Sequence, residues 1–290
     1  MTRLVIAQPG PLTLVQDLGR PGLARLGVGA SGAMDRAALA LANRLVGNEP
    51  DAAGREILFG AVELRAEKAM WIAVTGAWGS VTIDGHAVPQ NTAAHIDAGE
   101  TLEFGTAAHG IRYYLAVRGG IEAPLVLGSR SRDTLARLGP APLAEGDILL
   151  MGIEPHRPVP PVDAVPLDAP PDTVVMLEVR PGPRRDWFAP AAWERLLDHK
   201  WRVSPRSDRS GIRLEGPPLE HTERRELLSE GMLSGAIRVS PDGVPTILAV
   251  DHPVTGGYPV IAVVTNDSLD ALAQLRPGQG IQFRLATGRS

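Results

Sequence analysis

Short apolar runs, each closed by Gly, Pro or Asp, constrain this chain more than any other feature. They include Leu12-Thr13-Leu14-Val15, Met70-Trp71-Ile72-Ala73-Val74, Tyr113-Tyr114-Leu115-Ala116-Val117, Val174-Val175-Met176-Leu177-Glu178-Val179, Thr246-Ile247-Leu248-Ala249-Val250, Val260-Ile261-Ala262-Val263-Val264 and Ile281-Gln282-Phe283-Arg284. At this spacing and with these bounding residues they read as strands. The expected fold is mostly β, of barrel architecture, with a few short helices. The 32 glycines and 26 prolines fit many tight turns.

Three segments carry helical spacing instead. Met34 to Val46 opens near Ser31 and Asp35, both candidate caps, and stops at Gly47-Asn48. Ala191 to His199 follows Pro190, and Ser268 to Leu275 ends before Arg276-Pro277-Gly278. From Glu154 to Thr173 seven prolines and no periodicity predict an extended connector. The expected organisation is two β subdomains, 1–153 and 174–290, joined by 154–173.

Composition removes several chemistries. There is no cysteine, hence no disulfide and no thiolate nucleophile or metal ligand, which fits a reducing compartment. Lys68 and Lys200 are the only lysines, so arginine must recognise any carboxylate or phosphate. The seven histidines lack metal-ligand spacing, and no metal site is expected. Neither a G-x-S-x-G elbow nor a P-loop occurs. A net charge of -4 with both signs interspersed offers no footprint for nucleic acid or an anionic membrane. The N-terminal run is too short for a signal-peptide core, and the expected location is the cytoplasm.

Gly27-Val28-Gly29-Ala30-Ser31-Gly32 matches a dinucleotide fingerprint, but no apolar strand leads into it and β-α-β alternation is missing, so it reads as a tight loop. Around it Gln16, Asp17, Arg20, Ser31, Asp35 and Asn43 gather polar groups beside a helix start, as ligand contacts or as caps and loop supports. The densest polar constellation lies later, in Ser207-Asp208-Arg209-Ser210-Gly211-Ile212-Arg213, Ser229-Glu230-Gly231-Met232 and Asp251-His252-Pro253-Val254-Thr255-Gly256-Gly257-Tyr258-Pro259. Two readings stand for the last segment. Its glycine amides meet a developing oxyanion, or it is a hairpin turn with Asp251 and Thr255 bonding their own backbone.

Taken in order, Val15-Gln16-Asp17-Leu18-Gly19-Arg20, Gly27 to Asp35, Ala42 to Asn48, Tyr114 to Ile121, Gly128-Ser129-Arg130-Ser131, Glu230 to Pro259 and Ala273 to Gly278 resemble the successive signatures of one family. It is the family of C-type subunits of bacterial 5-oxoprolinases, also called the biotin-dependent carboxyltransferase or allophanate hydrolase subunit 2 family. The resemblance implies a cyclophilin-like β-barrel fold and A-type and B-type 5-oxoprolinase partner subunits. It also implies a part in the ATP-dependent opening of 5-oxoproline to L-glutamate. Alternatives within the same resemblance are biotin-dependent carboxyl transfer to urea or a related amide, with biotin carried by another protein, and a non-enzymatic Kip-type regulator.

Such chemistry needs a weakly nucleophilic amide held planar while it is activated. Carried onto this sequence, the resemblance implies Asp251 and Tyr258 as catalytic residues. Gly256, Gly257, Thr255, Asp208, Arg209, Asn43 and Gln16 are then substrate-binding residues. Two stretches depart from the family pattern: His252-Pro253-Val254 after Asp251 lacks the side-chain amide and hydroxyl of the Gln-Thr that often occurs there, and Arg132 replaces a Thr after Gly-Ser-Arg-Ser.

Overall fold

The computed structural model describes residues 2–161, 165–223 and 225–287. Met1, residues 162–164 of the expected connector and the last three residues lie outside the described residues. The chain divides into two compact units. The first comprises the chain up to Arg20, Ser31–Asp133 and Arg137–Pro170; the second takes Pro21–Ala30, Thr134–Ala136 and everything from Pro171 onward. The two short excursions into the second unit carry no mark in the sequence.

Unit one is a ten-stranded sheet. Its main path runs Leu12–Gln16, Gly54–Leu58, Thr101–Val117, Val62–Ala66, Arg3–Pro9, Ile148–Met151 and Ile121–Glu122. The strand Met70–Ile83 pairs antiparallel with Thr101–Val117 through a register broken by bulges between Gly76 and Val81. Bulges bend and twist a strand pair, which lets so long a hairpin wrap a core. Leu4, Ile6, Ile57, Leu64, Ile72, Val74, Leu102 and Leu115 are buried together in that core.

Helix α1 (Arg36–Leu45) lies against this sheet through Leu45, Ala42 and Ala116. It starts at 36 rather than 34 because Asp35 is extended (φ -103, ψ 90) and its carboxylate accepts the Ala38 amide at 2.8 Å. Beneath its start the Tyr114 hydroxyl accepts from the Asp35 amide and donates to Glu56 Oε2, both at 2.8 Å. The same Glu56 oxygen accepts the Met34 amide at 2.9 Å, and Arg112 stands 3.5 Å from the other. Burial, with Glu56 and Asp35 nearby, pushes the Tyr114 hydroxyl well above its ordinary pKa, so it remains a donor.

Unit two contains a closed seven-stranded barrel. Around it the strands run Val175–Pro181, Val260–Val264, Ala236–Val239, Pro245–Leu248, Gly211–Glu215, Trp201–Val203 and Gly280–Leu285. The last closes on the first in parallel register, Val175 opposite Ile281, and the other pairs are antiparallel. Closure removes the exposed edges that a short-stranded sheet would otherwise present. Ile212, Ile247 and Ile237 face one another in register and are buried.

Helix α2 (Pro190–Asp198) takes Pro190 at its first turn, and its Leu196 carbonyl accepts from the buried Trp201 indole at 3.0 Å. Helix α3 (Asn266–Leu272) begins two residues before the sequence expectation, directly after the extended Thr265, and stops three residues earlier. Between 152 and 174 no described residue is helix or strand. That stretch is nevertheless tied down: Arg118 donates to the carbonyls of Val46, Pro155 and Arg157. Among the described residues no helix is long and apolar enough to cross a membrane.

Candidate functional site

In unit one the structure turns sequence motifs into polar joints. Asp17 Oδ1 accepts from the Gly19 amide (2.7 Å) and the hydroxyls of Ser129 (2.6 Å) and Ser131 (2.5 Å), while Oδ2 accepts the Arg130 amide (2.6 Å). Arg20 crosses the same joint to the Val126 carbonyl, the Ser129 hydroxyl and the Ser131 carbonyl. The Asp17 and Gly128–Ser131 motifs, remote in sequence, therefore form one joint. Gln16 is fully buried and donates its amide to the Arg132 carbonyl at 2.8 Å.

Asn43 is likewise buried, donating to the Ala52 carbonyl at 2.7 Å and accepting from Asn48 at 3.0 Å. Asn48 in turn donates to the Val117 carbonyl and accepts the Gly119 amide. Gly119 cannot be replaced cheaply, since φ is +89 and a Cβ would lie 2.8 Å from the Gly152 carbonyl oxygen. Gln16 and Asn43 hold backbone within unit one.

The other predicted site residues fall in unit two, in two environments. Asp208 Oδ1 accepts the amides of Ser210 (2.7 Å) and Gly211 (3.1 Å), a local turn. Arg209 and Asp251 form a forked ion pair, Nε to Oδ2 at 2.9 Å and Nη2 to Oδ1 at 3.1 Å, with side chains 3% and 0% exposed. Asp251 Oδ2 also accepts the amide (2.9 Å) and hydroxyl (2.7 Å) of Thr134. This joint binds the excursion Thr134–Ala136 into unit two.

Tyr258 stands apart from that buried pair, at 41% exposure. The loop leading to it is a small ladder, Thr255–Gly256 against Glu230–Gly231, and a Cβ added at Gly256 would lie 3.4 Å from the Met232 side chain. Glu230 is gripped by Arg184 through both guanidinium and carboxylate atoms, Nε to Oε2 at 3.1 Å. The hydrogen bond from Arg184 holds the Glu230 pKa below the ordinary value and raises that of Arg184. A depressed carboxylate pKa gives stability that is present above the unfolded value and lost as pH falls through the folded one. In urea titrations Glu230→Gln is expected to lower the midpoint at neutral pH, with the deficit closing below about pH 4. A deficit independent of pH would show that the charge on Glu230 is not its source.

Two cavities of unit two meet at Tyr258. A groove of about 930 Å³ is lined by Trp187, His221, Arg225, Gly257 and Tyr258 among others. A smaller cavity, about 170 Å³, lies between Ser204, Arg206, Arg213, Arg238 and Tyr258. Arg238 covers the Tyr258 ring with its guanidinium carbon 5.5 Å from the centroid. Burial, and then Arg213, push the Arg238 pKa down, with Tyr258 opposing. Sequence reasoning missed these arginines as site residues. The available signal was alternation, for in Ile212-Arg213-Leu214 and Ile237-Arg238-Val239 the apolar neighbours face inward and the arginine outward.

Among the described residues no group of three His, Asp or Glu converges as a metal site. Fold and site define a mostly-β protein of two units, with a closed barrel and two cavities that share an exposed tyrosine. The family model described as carboxyltransferase domain, subdomain A and B, matches residues 26–285, and the chain belongs to that family. It is similar to the C-type subunit of 5-oxoprolinase from Escherichia coli, 36% identical over 97% of this chain and 90% of the relative. Among solved structures it resembles TTHA0988 (TM-score 0.89, 37% identity) and the K. lactis urea amidolyase (TM-score 0.92, 31% identity), each over 98% of this chain. It spans 56% of the former and 19% of the latter.

Proposed function

We propose that this chain is the C-type subunit of a cytoplasmic, ATP-dependent 5-oxoprolinase that opens the lactam of 5-oxoproline to L-glutamate together with A-type and B-type partner subunits. The observation that carries it is the 36% identity to the E. coli C-type 5-oxoprolinase subunit across nearly the whole of both chains. A lactam is a stabilised amide, so its opening needs polarisation of the carbonyl and a source of free energy. The chain has no P-loop, and ATP is used at a site completed by a partner. Tyr258 supplies the hydroxyl that donates to the amide oxygen, and Thr255, Gly256 and Gly257 carry it beside the cavity. Asp251, enclosed by Arg209 and Thr134, acts with Arg209 and Asp208 by positioning backbone and not by touching substrate.

A second reading is biotin-dependent carboxyl transfer to urea or a related amide, favoured by the family description and the likeness to urea amidolyase. In that case the biotin rides on another protein. In the reconstituted complex Tyr258→Phe is expected to lower 5-oxoproline turnover at least about tenfold, about 1.4 kcal/mol of barrier, with partner binding retained. Wild-type turnover in the variant moves the reactive centre elsewhere. Urea-dependent carboxyl transfer with a biotinylated carrier puts the second reading in place of the first.

A further inference from the structure

We infer that the 170 Å³ cavity walled by Arg213, Arg238 and Tyr258 is a carboxylate-binding subsite on the outer face of the unit-two barrel. On the reading above, it takes the acid group of 5-oxoproline and so distinguishes that lactam from uncharged amides. Register builds it. Arg213 lies opposite Thr246, and Thr246 opposite Arg238, so three neighbouring strands present an Arg-Thr-Arg row on one face. Adjacent strands are about 4.8 Å apart, which places the two arginine stems about 10 Å apart with a hydroxyl between them. The guanidinium groups can thus converge on a single small anion over the threonine.

Arg206 adds a third cation at the rim, beside the buried Ser204, whose hydroxyl has no hydrogen-bond partner among the described residues. Two acids, Glu215 and Asp242, share the lining with the three arginines. Asp242 Oδ1 accepts from the Ser240 hydroxyl, and among the described residues neither Asp242 nor Glu215 has an ion pair with the three arginines. Arg213 disfavours the charge on Arg238, and an anion between them would relieve the repulsion. The volume holds about six waters, enough for a carboxylate on a small ring and too little for a nucleotide. Arg238 is braced by the Tyr258 ring, which sets the bound acid next to the hydroxyl proposed to polarise the lactam.

The test is calorimetric titration of the full chain with 5-oxoproline, acetate, inorganic phosphate and 2-pyrrolidinone, the same lactam without its carboxylate. Wild-type protein is expected to bind 5-oxoproline and not 2-pyrrolidinone. Arg213→Met and Arg238→Met, both at partly or fully exposed positions, each weaken that binding at least about tenfold. No binding of 5-oxoproline or acetate to folded wild-type protein, equal binding by both variants, or a preference for phosphate overturns the inference. Arginine-dependent binding of acetate without binding of 5-oxoproline supports the subsite and removes the lactam from it, so the two failures are told apart.

Discussion

Asp251→Ala is expected to destabilise the protein by about 3–5 kcal/mol, because it removes the carboxylate that the Arg209 guanidinium grips with two hydrogen bonds at a site where that side chain is 3% exposed. It also removes the acceptor for the Thr134 amide and hydroxyl, freeing the excursion that Asp251 holds. Domains carry about 5–15 kcal/mol of net stability, so much of the margin is lost. Asp251→Asn follows in the same direction, since a neutral amide replaces the charged partner of Arg209. The pair matters through its completeness. The double variant Arg209→Met, Asp251→Leu, which removes both charges, is therefore expected to cost less than Asp251→Ala alone. Urea unfolding of the three variants checks this, and an Asp251→Ala cost under about 1 kcal/mol contradicts the assignment. Turnover of Asp251 variants has meaning only where they are folded.

The comparable weak point of unit one is Glu56. It is 3% exposed and accepts from the Tyr114 hydroxyl and the Met34 amide, with Arg112 beside it. Glu56→Ala removes these acceptors at once and leaves Arg112 buried without this carboxylate, an expected loss of about 3–5 kcal/mol. The start of α1 is released as well, since the Tyr114 hydroxyl also receives the Asp35 amide. Glu56→Gln keeps one acceptor oxygen and is expected to cost less. Fluorescence-detected urea unfolding decides; a variant Glu56→Ala as stable as wild type would show that the cluster is already dispensable.

The strands were legible because each must bury alternate residues, and the alternation in Ile212-Arg213-Leu214 or Ile237-Arg238-Val239 is local. The cap at Asp35 was legible for the same reason, as a short-range donor and acceptor match. Which strands become neighbours is not local. Arg213 and Arg238 come from different strands, and only the intervening Pro245–Leu248 strand brings them onto one face. Asp251 shows the opposite difficulty. Its place after an apolar strand suggests a carboxylate presented to substrate, yet Arg209 and Thr134 close on it from remote positions and bury it completely. Tyr258 directly follows the glycine loop Thr255-Gly256-Gly257 and is among the residues lining both cavities.

The proposed activity is tested most directly by ATP-dependent release of glutamate from 5-oxoproline by this chain with A-type and B-type subunits, repeated with each component left out. Glutamate is expected from the full mixture, and none when this chain is omitted. Full-rate release without this chain, or a stable three-component complex that releases none, contradicts the 5-oxoprolinase reading.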